Sequence, residues 1–211
     1  GWDLPHGASL AALHGPLLVS GVFGTLVALE RAVALAARWP YAAPALSASG
    51  TVLLAIGAPT AAGAWAYVLA AAVLTAASLL AVRRQPAVFT ASLAAGAAAW
   101  LAGSVSWALG DPVPNLAGWW LGFLVLTIAG ERLELSRLGP RSRLSLPLYL
   151  VATGAFLTGA GEGLPTTRGA GLCGLGLLAL AVWLIRHDIA LRTIRLAGQA
   201  RFMAACMIAG Y

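Results

Sequence analysis

The chain has 211 residues, 60% of them apolar and 9% charged. A soluble domain usually carries about 25% charged residues, so this chain cannot clothe a water-facing surface and lipid must be its main solvent. The net charge of +6 comes from thirteen arginines and no lysine against seven acids; the arginines lie in short loops between apolar runs, which excludes a nucleic-acid-binding face and marks them as orientation signals.

Residues 1–7 (GWDLPHG) read as a polar entry at one interface, with Trp2 as an aromatic anchor. A first helix is expected over residues 9–37. Within it the sixteen steps from His14 to Glu30 rise about 24 Å, close to the ~30 Å of a bilayer's hydrocarbon core. Pro16 lies in its second turn and predicts a kink or a late start. Further helices are expected over 42–56, 62–82, 87–109, 116–138, 146–160 and 169–186, punctuated by Gly57-Ala58-Pro59, the Asp111–Asn115 cluster, the Gly139–Arg143 loop and a polar turn at 161–167. A basic amphipathic stretch (188–199) leads to an eighth helix near Arg201. The expected fold is all-α: one transmembrane domain over 1–211, a polytopic helical bundle of seven spans plus the start of an eighth. The chain opens without a methionine or signal-type leader and stops about half a membrane past Arg201. Both ends are therefore expected to be cuts, with more helices of the same chain or of partner subunits beyond.

On an alternating seven-span path, Arg31, Arg38, Arg83, Arg84, Arg132, Arg137, Arg141, Arg143, Arg186, Arg192, Arg195 and Arg201 fall on one side and Arg168 alone on the other. This bias predicts a bacterial inner-membrane protein with the N-terminus of this segment in the periplasm and the Glu-Arg helix ends in the cytoplasm. Small residues recur at four-residue spacing, as in Gly24-Ala28-Ala32, with Gly21 and Thr25 on the same stripe, and in Ala95-Ala99-Gly103. They predict close helix approach in lipid, where no hydrophobic force drives helices together.

An internal echo is visible. Glu30-Arg31 recurs as Glu131-Arg132 at an offset of 101; Pro44 matches Pro147 and Arg83-Arg84 matches Arg186-His187 at 103. Two four-helix units, 8–110 and 113–211, would then run parallel, since an even number of spans preserves orientation.

His14 is the leading candidate for chemistry, because an imidazole near the end of a span can ligate haem or copper through one ring nitrogen; the competing reading is a headgroup-level histidine bonded to backbone freed by Pro16. His6, eight residues upstream, is a second metal-ligand candidate or a solvated interface residue. His187, between Arg186 and Asp188, reads as a salt-bridged surface histidine. Glu30, Arg31, Glu131 and Arg132 lie at the inner rim. Sequence neighbours point about 100° apart on a helix, so cross-helix ion pairs, Glu30 with Arg132 and Glu131 with Arg31, compete with interfacial anchoring and with proton entry. Met203, Cys206 and Met207 share a helix side that would suit Cu(I) or ordinary packing. No nucleotide loop, catalytic triad, CxxC or HExxH pattern is present.

The run LHGPLLVSGVFGTLVALERAVAL, with RLAGQARFMAACMIAGY near the end, resembles the NnrS family, multi-spanning haem- and copper-containing bacterial inner-membrane proteins linked to the nitric-oxide response. The resemblance implies that His14, at the head of the family's His-x-Met-Leu-Phe-Gly-Phe-like run, is a haem or copper ligand, and that the protein acts in nitric-oxide or nitrogen-oxide metabolism. The family's second histidine, two residues earlier, is Ala12 here. A secondary transporter or permease without a cofactor, with helices broken at Pro16 and Pro59, is the alternative from the residues alone. A structural subunit of a membrane complex is the third.

Overall fold

The computed structural model describes residues 11–135, 144–188 and 190–210. Among them every regular element is helical: α1 (His14–Leu35), α2 (Ala42–Ala55), α3 (Thr60–Arg84), α4 (Val88–Ala108), α5 (Val113–Leu135), α6 (Ser145–Glu162), α7 (Thr167–His187), the short α8 (Ala190–Thr193) and α9 (Gln199–Ala209). Five of these, α1, α3, α4, α5 and α7, are long and apolar enough to cross a membrane. The expected seven is not reached on that measure: α2 has 14 residues and α6 only 18, the latter diluted by hydroxyl side chains and Glu162. His6 and the Gly139–Arg143 loop lie outside the described residues.

Pro16 does not delay α1. It occupies the third helical position, where its missing N–H costs nothing, and the following eight residues, Leu17–Gly24, wind as a π-helix before α-geometry resumes at Thr25. Such widened turns are rare and collect at functional sites.

α4 and α5 form a central hairpin. One buried cluster lies on its α1–α3 side, including Ala28, Ala71, Leu74, Trp100, Trp120 and Phe123. The other joins it to α6 and α7 through Phe89, Leu133, Tyr149, Phe156 and Trp183. The small-residue stripe of α1 packs inward: Gly21, Gly24, Ala28 and Ala32 are buried. Hydrogen bonds tie α6 to both neighbours: Tyr149 Oη donates to Ser92 Oγ of α4 (2.8 Å), while Trp183 Nε1 and Cys173 Sγ of α7 donate to the Ser145 (2.7 Å) and Phe156 (3.5 Å) carbonyls.

The α2–α3 and α6–α7 hairpins turn alike. Gly57 (φ 77°) and Gly163 (φ 86°) both need the left-handed region open to glycine. Each is followed by a residue and then Pro-Thr, Pro59-Thr60 and Pro165-Thr166, at an offset of 106.

Candidate functional site

The C-terminal ends of α1, α3 and α5 meet the start of α4 around a cavity of about 340 Å³. α1 ends because Ala36 takes a left-handed conformation (φ 51°), and Arg84 Nη1 of α3 donates to the freed Leu35 carbonyl at 3.4 Å. α3 ends at Pro86, where Thr90 Oγ1 closes the turn, donating toward the Gln85 carbonyl (2.8 Å) and accepting the Ala87 N–H (3.2 Å). These two terminations leave Glu30, Arg31, Arg84 and Gln85 on the cavity wall, facing Glu131 and Glu134 of α5. Glu131 and Glu134 share a helix face because three residues nearly complete a turn. Three carboxylates and two guanidiniums thus line one space.

The pairing inside this site differs from the expected one. The ion pairs formed among the described residues join Arg132 to Asp188 (4.0 Å) and Arg168 to Glu162 (3.3 Å); Glu30–Arg132 and Glu131–Arg31 are not among them. The cause is helix geometry. With Glu131 turned toward α1, its neighbour Arg132 is carried about 100° round the axis, toward the buried carboxylate of Asp188. That carboxylate needs a cation and hydrogen bonds where water is scarce; it also accepts the Ala190 N–H at 2.7 Å. Arg132 Nη1 in addition meets Met207 Sδ at 3.7 Å. Glu30, Arg31 and Glu131 are therefore brought together, and Arg132 is not.

A second polar cluster lies deeper. Arg31 also borders a void of about 10 Å³ with Ser78, Thr127 and Phe123. Phe123 stacks on Trp100 at 5.0 Å, and Trp100 Nε1 donates to Ser20 Oγ at 2.9 Å. Two π-helical carbonyls receive hydroxyls: Ser47 Oγ donates to the Ser20 carbonyl (2.6 Å) and Thr25 Oγ1 to that of Gly21 (2.6 Å). Thr51 Oγ1 and Tyr67 Oη lie 2.9 Å apart beside them. Such pairing offsets the high cost of burying polar groups away from water. Ser104 Oγ and Trp120 Nε1, nearby on α4 and α5, are buried with no partner among the described residues.

His14 stands at the opposite end of α1, exposed, with Nδ1 2.8 Å from the Ala11 carbonyl. No salt bridge to His187 is found among the described residues; its Nδ1 donates to the Trp183 carbonyl (2.8 Å) and the ring stacks on Trp183 at 4.7 Å. Met203 and Met207 border a pocket with Arg132, while Cys206 is exposed. Among the described residues no group of three or more His, Cys, Asp or Glu side chains is placed to hold a metal ion.

Sequence reasoning missed Arg84, Gln85, Glu134 and Asp188 as site residues. The three-residue spacing of Glu131 and Glu134 was a usable signal; the convergence of α3 on α1 was not readable locally.

A bundle of membrane-type helices with a mixed-charge cavity at its arginine-rich end is the class these features define. Within that class, the chain belongs to the family described as Domain of unknown function (DUF8744), which it matches over residues 2–211. No curated protein and no solved structure matches it.

Proposed function

We propose that this chain is a seven-span inner-membrane protein of the secondary-transporter class. In this reading the rim cavity admits a small polar, charge-bearing solute from the cytoplasmic side. One observation carries the proposal: Glu30, Arg31 and Glu131 line a shared space without closing ion pairs on one another, so their charges are available to a guest. The cavity's size is near the lower end for small-ligand sites, about 300–1,000 Å³. Ionisable groups at span ends are a feature of such carriers. The matching Gly-x-Pro-Thr turns of the α2–α3 and α6–α7 hairpins support two parallel four-helix copies, and the arginine bias supports a periplasmic N-terminus.

The test is uptake by the purified full chain in proteoliposomes, using a panel of radiolabelled amino acids, small cations and small anions. Expected is uptake of at least one solute above empty vesicles, falling about tenfold or more in both Arg31→Gln and Glu131→Gln, since each removes a charge the guest would pair with. No uptake across the panel, or uptake indifferent to both substitutions, sinks the proposal.

A second reading rests on His14. Its Nδ1 is held by the Ala11 carbonyl, and no partner for Nε2 is found among the described residues, an arrangement by which a hydrogen bond behind the ring can orient a metal-binding imidazole. This fits one axial contact to haem, in keeping with the NnrS resemblance. Copper would need donors that the described residues do not bring to His14. A Soret band in the purified protein that disappears in His14→Ala supports this reading, and a colourless protein removes it.

A further inference from the structure

Away from the rim, a groove of about 620 Å³ lies between α6 and α7. Its walls are aliphatic, among them Leu148, Val151, Leu175 and Leu178, all strongly exposed. Its arginine-rich end is different: Arg186 and His187 close it. Arg186 is exposed, and His187 is braced by Trp183 through Nδ1 and the ring stack; among the described residues neither Arg186 nor His187 Nε2 has a partner. The groove runs from Leu175 to Arg186, eleven residues along α7, or about 16 Å. Half of a ~30 Å hydrocarbon core is about 15 Å. An apolar trough one leaflet deep, capped by cationic groups where headgroups lie, has the dimensions and charge of a single amphiphile.

We propose that this groove is a binding site for an anionic phospholipid of the cytoplasmic leaflet. One acyl chain lies along α6 and α7, and the headgroup phosphate meets the Arg186 guanidinium and the His187 imidazole. Charge selects the lipid: a zwitterionic headgroup satisfies the acyl trough equally well but offers these donors no net negative charge. The planar guanidinium matches phosphate oxygens in two-pronged geometry, and basic pockets between spanning helices on the cytoplasmic side are a recurrent way of holding such headgroups. The site shares no lining residue with the rim cavity, so it depends on the membrane-spanning reading but not on solute transport.

The experiment is native mass spectrometry of the full chain, purified in detergent and supplied with equal amounts of dioleoyl phosphatidylglycerol and dioleoyl phosphatidylcholine. Expected is retention of phosphatidylglycerol about fivefold or more over phosphatidylcholine, the factor that one or two basic groups at a membrane surface provide. Arg186→Gln/His187→Gln brings the ratio to near one while lipid is still retained. Ala179→Phe, an exposed groove position that can accept a ring without entering the core, lowers retention of both lipids. Equal retention of the two lipids by the unmodified chain overturns the proposal, as does phosphatidylglycerol binding that ignores Ala179→Phe. A dimer that dissociates in Ala179→Phe also overturns it, because the groove then belongs to a second copy. Loss of uptake in the rim variants with this selectivity intact would separate the two sites.

Discussion

Trp100 fills a notch that only glycine leaves open. A β-carbon on Gly24 would lie 2.5 Å from Cζ2 of that ring, and the ring cannot withdraw without breaking its bond to Ser20 and its stack on Phe123. Gly24→Val is expected to cost about 1–3 kcal/mol, read as a lower midpoint of unfolding in detergent. Asp188 offers a cleaner dissection, since its carboxylate both faces Arg132 and accepts the Ala190 N–H. Asp188→Asn keeps an acceptor for that N–H while removing the charge; Asp188→Ala removes both. The alanine variant should therefore be the less stable by about 1 kcal/mol, measured in the same unfolding assay. Equal midpoints would show that the hydrogen bond contributes nothing.

Helix pairs hold together where small residues let backbones touch. At Gly176 of α7 a β-carbon would sit 2.5 Å from the Phe156 nitrogen and 2.7 Å from its Cα, and backbone atoms cannot turn aside as a side chain can. Two residues earlier, Gly174 has nothing within 4 Å of that position. Gly176→Leu is expected to destabilise the α6–α7 pair by about 3 kcal/mol, whereas Gly174→Leu should change stability by about 0.5 kcal/mol or less. Similar losses at both positions would mean that the hairpin is not packed as described. The stripe of small residues in α1 was legible in the same way, because a four-residue spacing puts them on one face whatever the helix packs against. The winding of α1 was not legible. Pro16 signalled a break, yet the π-segment depends on Ser47 reaching across from α2 to the Ser20 carbonyl.

At the scale of the whole molecule, the alternation of helices gathers the C-terminal ends of α1, α3 and α5 at one cavity and leaves Arg168 with Glu162 at the far end. The orientation can be checked by cysteine labelling in intact cells, in a Cys206→Ala background because Cys206 is exposed. Thr167→Cys is expected to react with a membrane-impermeant maleimide from outside, and Gln85→Cys only after permeabilisation; the reverse pattern would invert the assignment of sides. Both positions are exposed, so failure of both to react even after permeabilisation would contradict the fold itself.

The apolar runs, the Pro-Gly breaks and the one-sided arginines were enough to define an all-helical membrane-type chain, where its helices turn, and the end at which charge accumulates. These properties are local or additive along the chain: a span needs only its own length and hydropathy, and a turn only its own residues. Which charge meets which was decided by tertiary structure alone. Arg132 follows Glu131 in sequence but answers Asp188, and Arg84 caps an α1 that ended 49 residues earlier. The rotation of each helix about its axis is set by how its small residues seat against neighbours, and a side chain's partner depends on that rotation, which no single segment encodes.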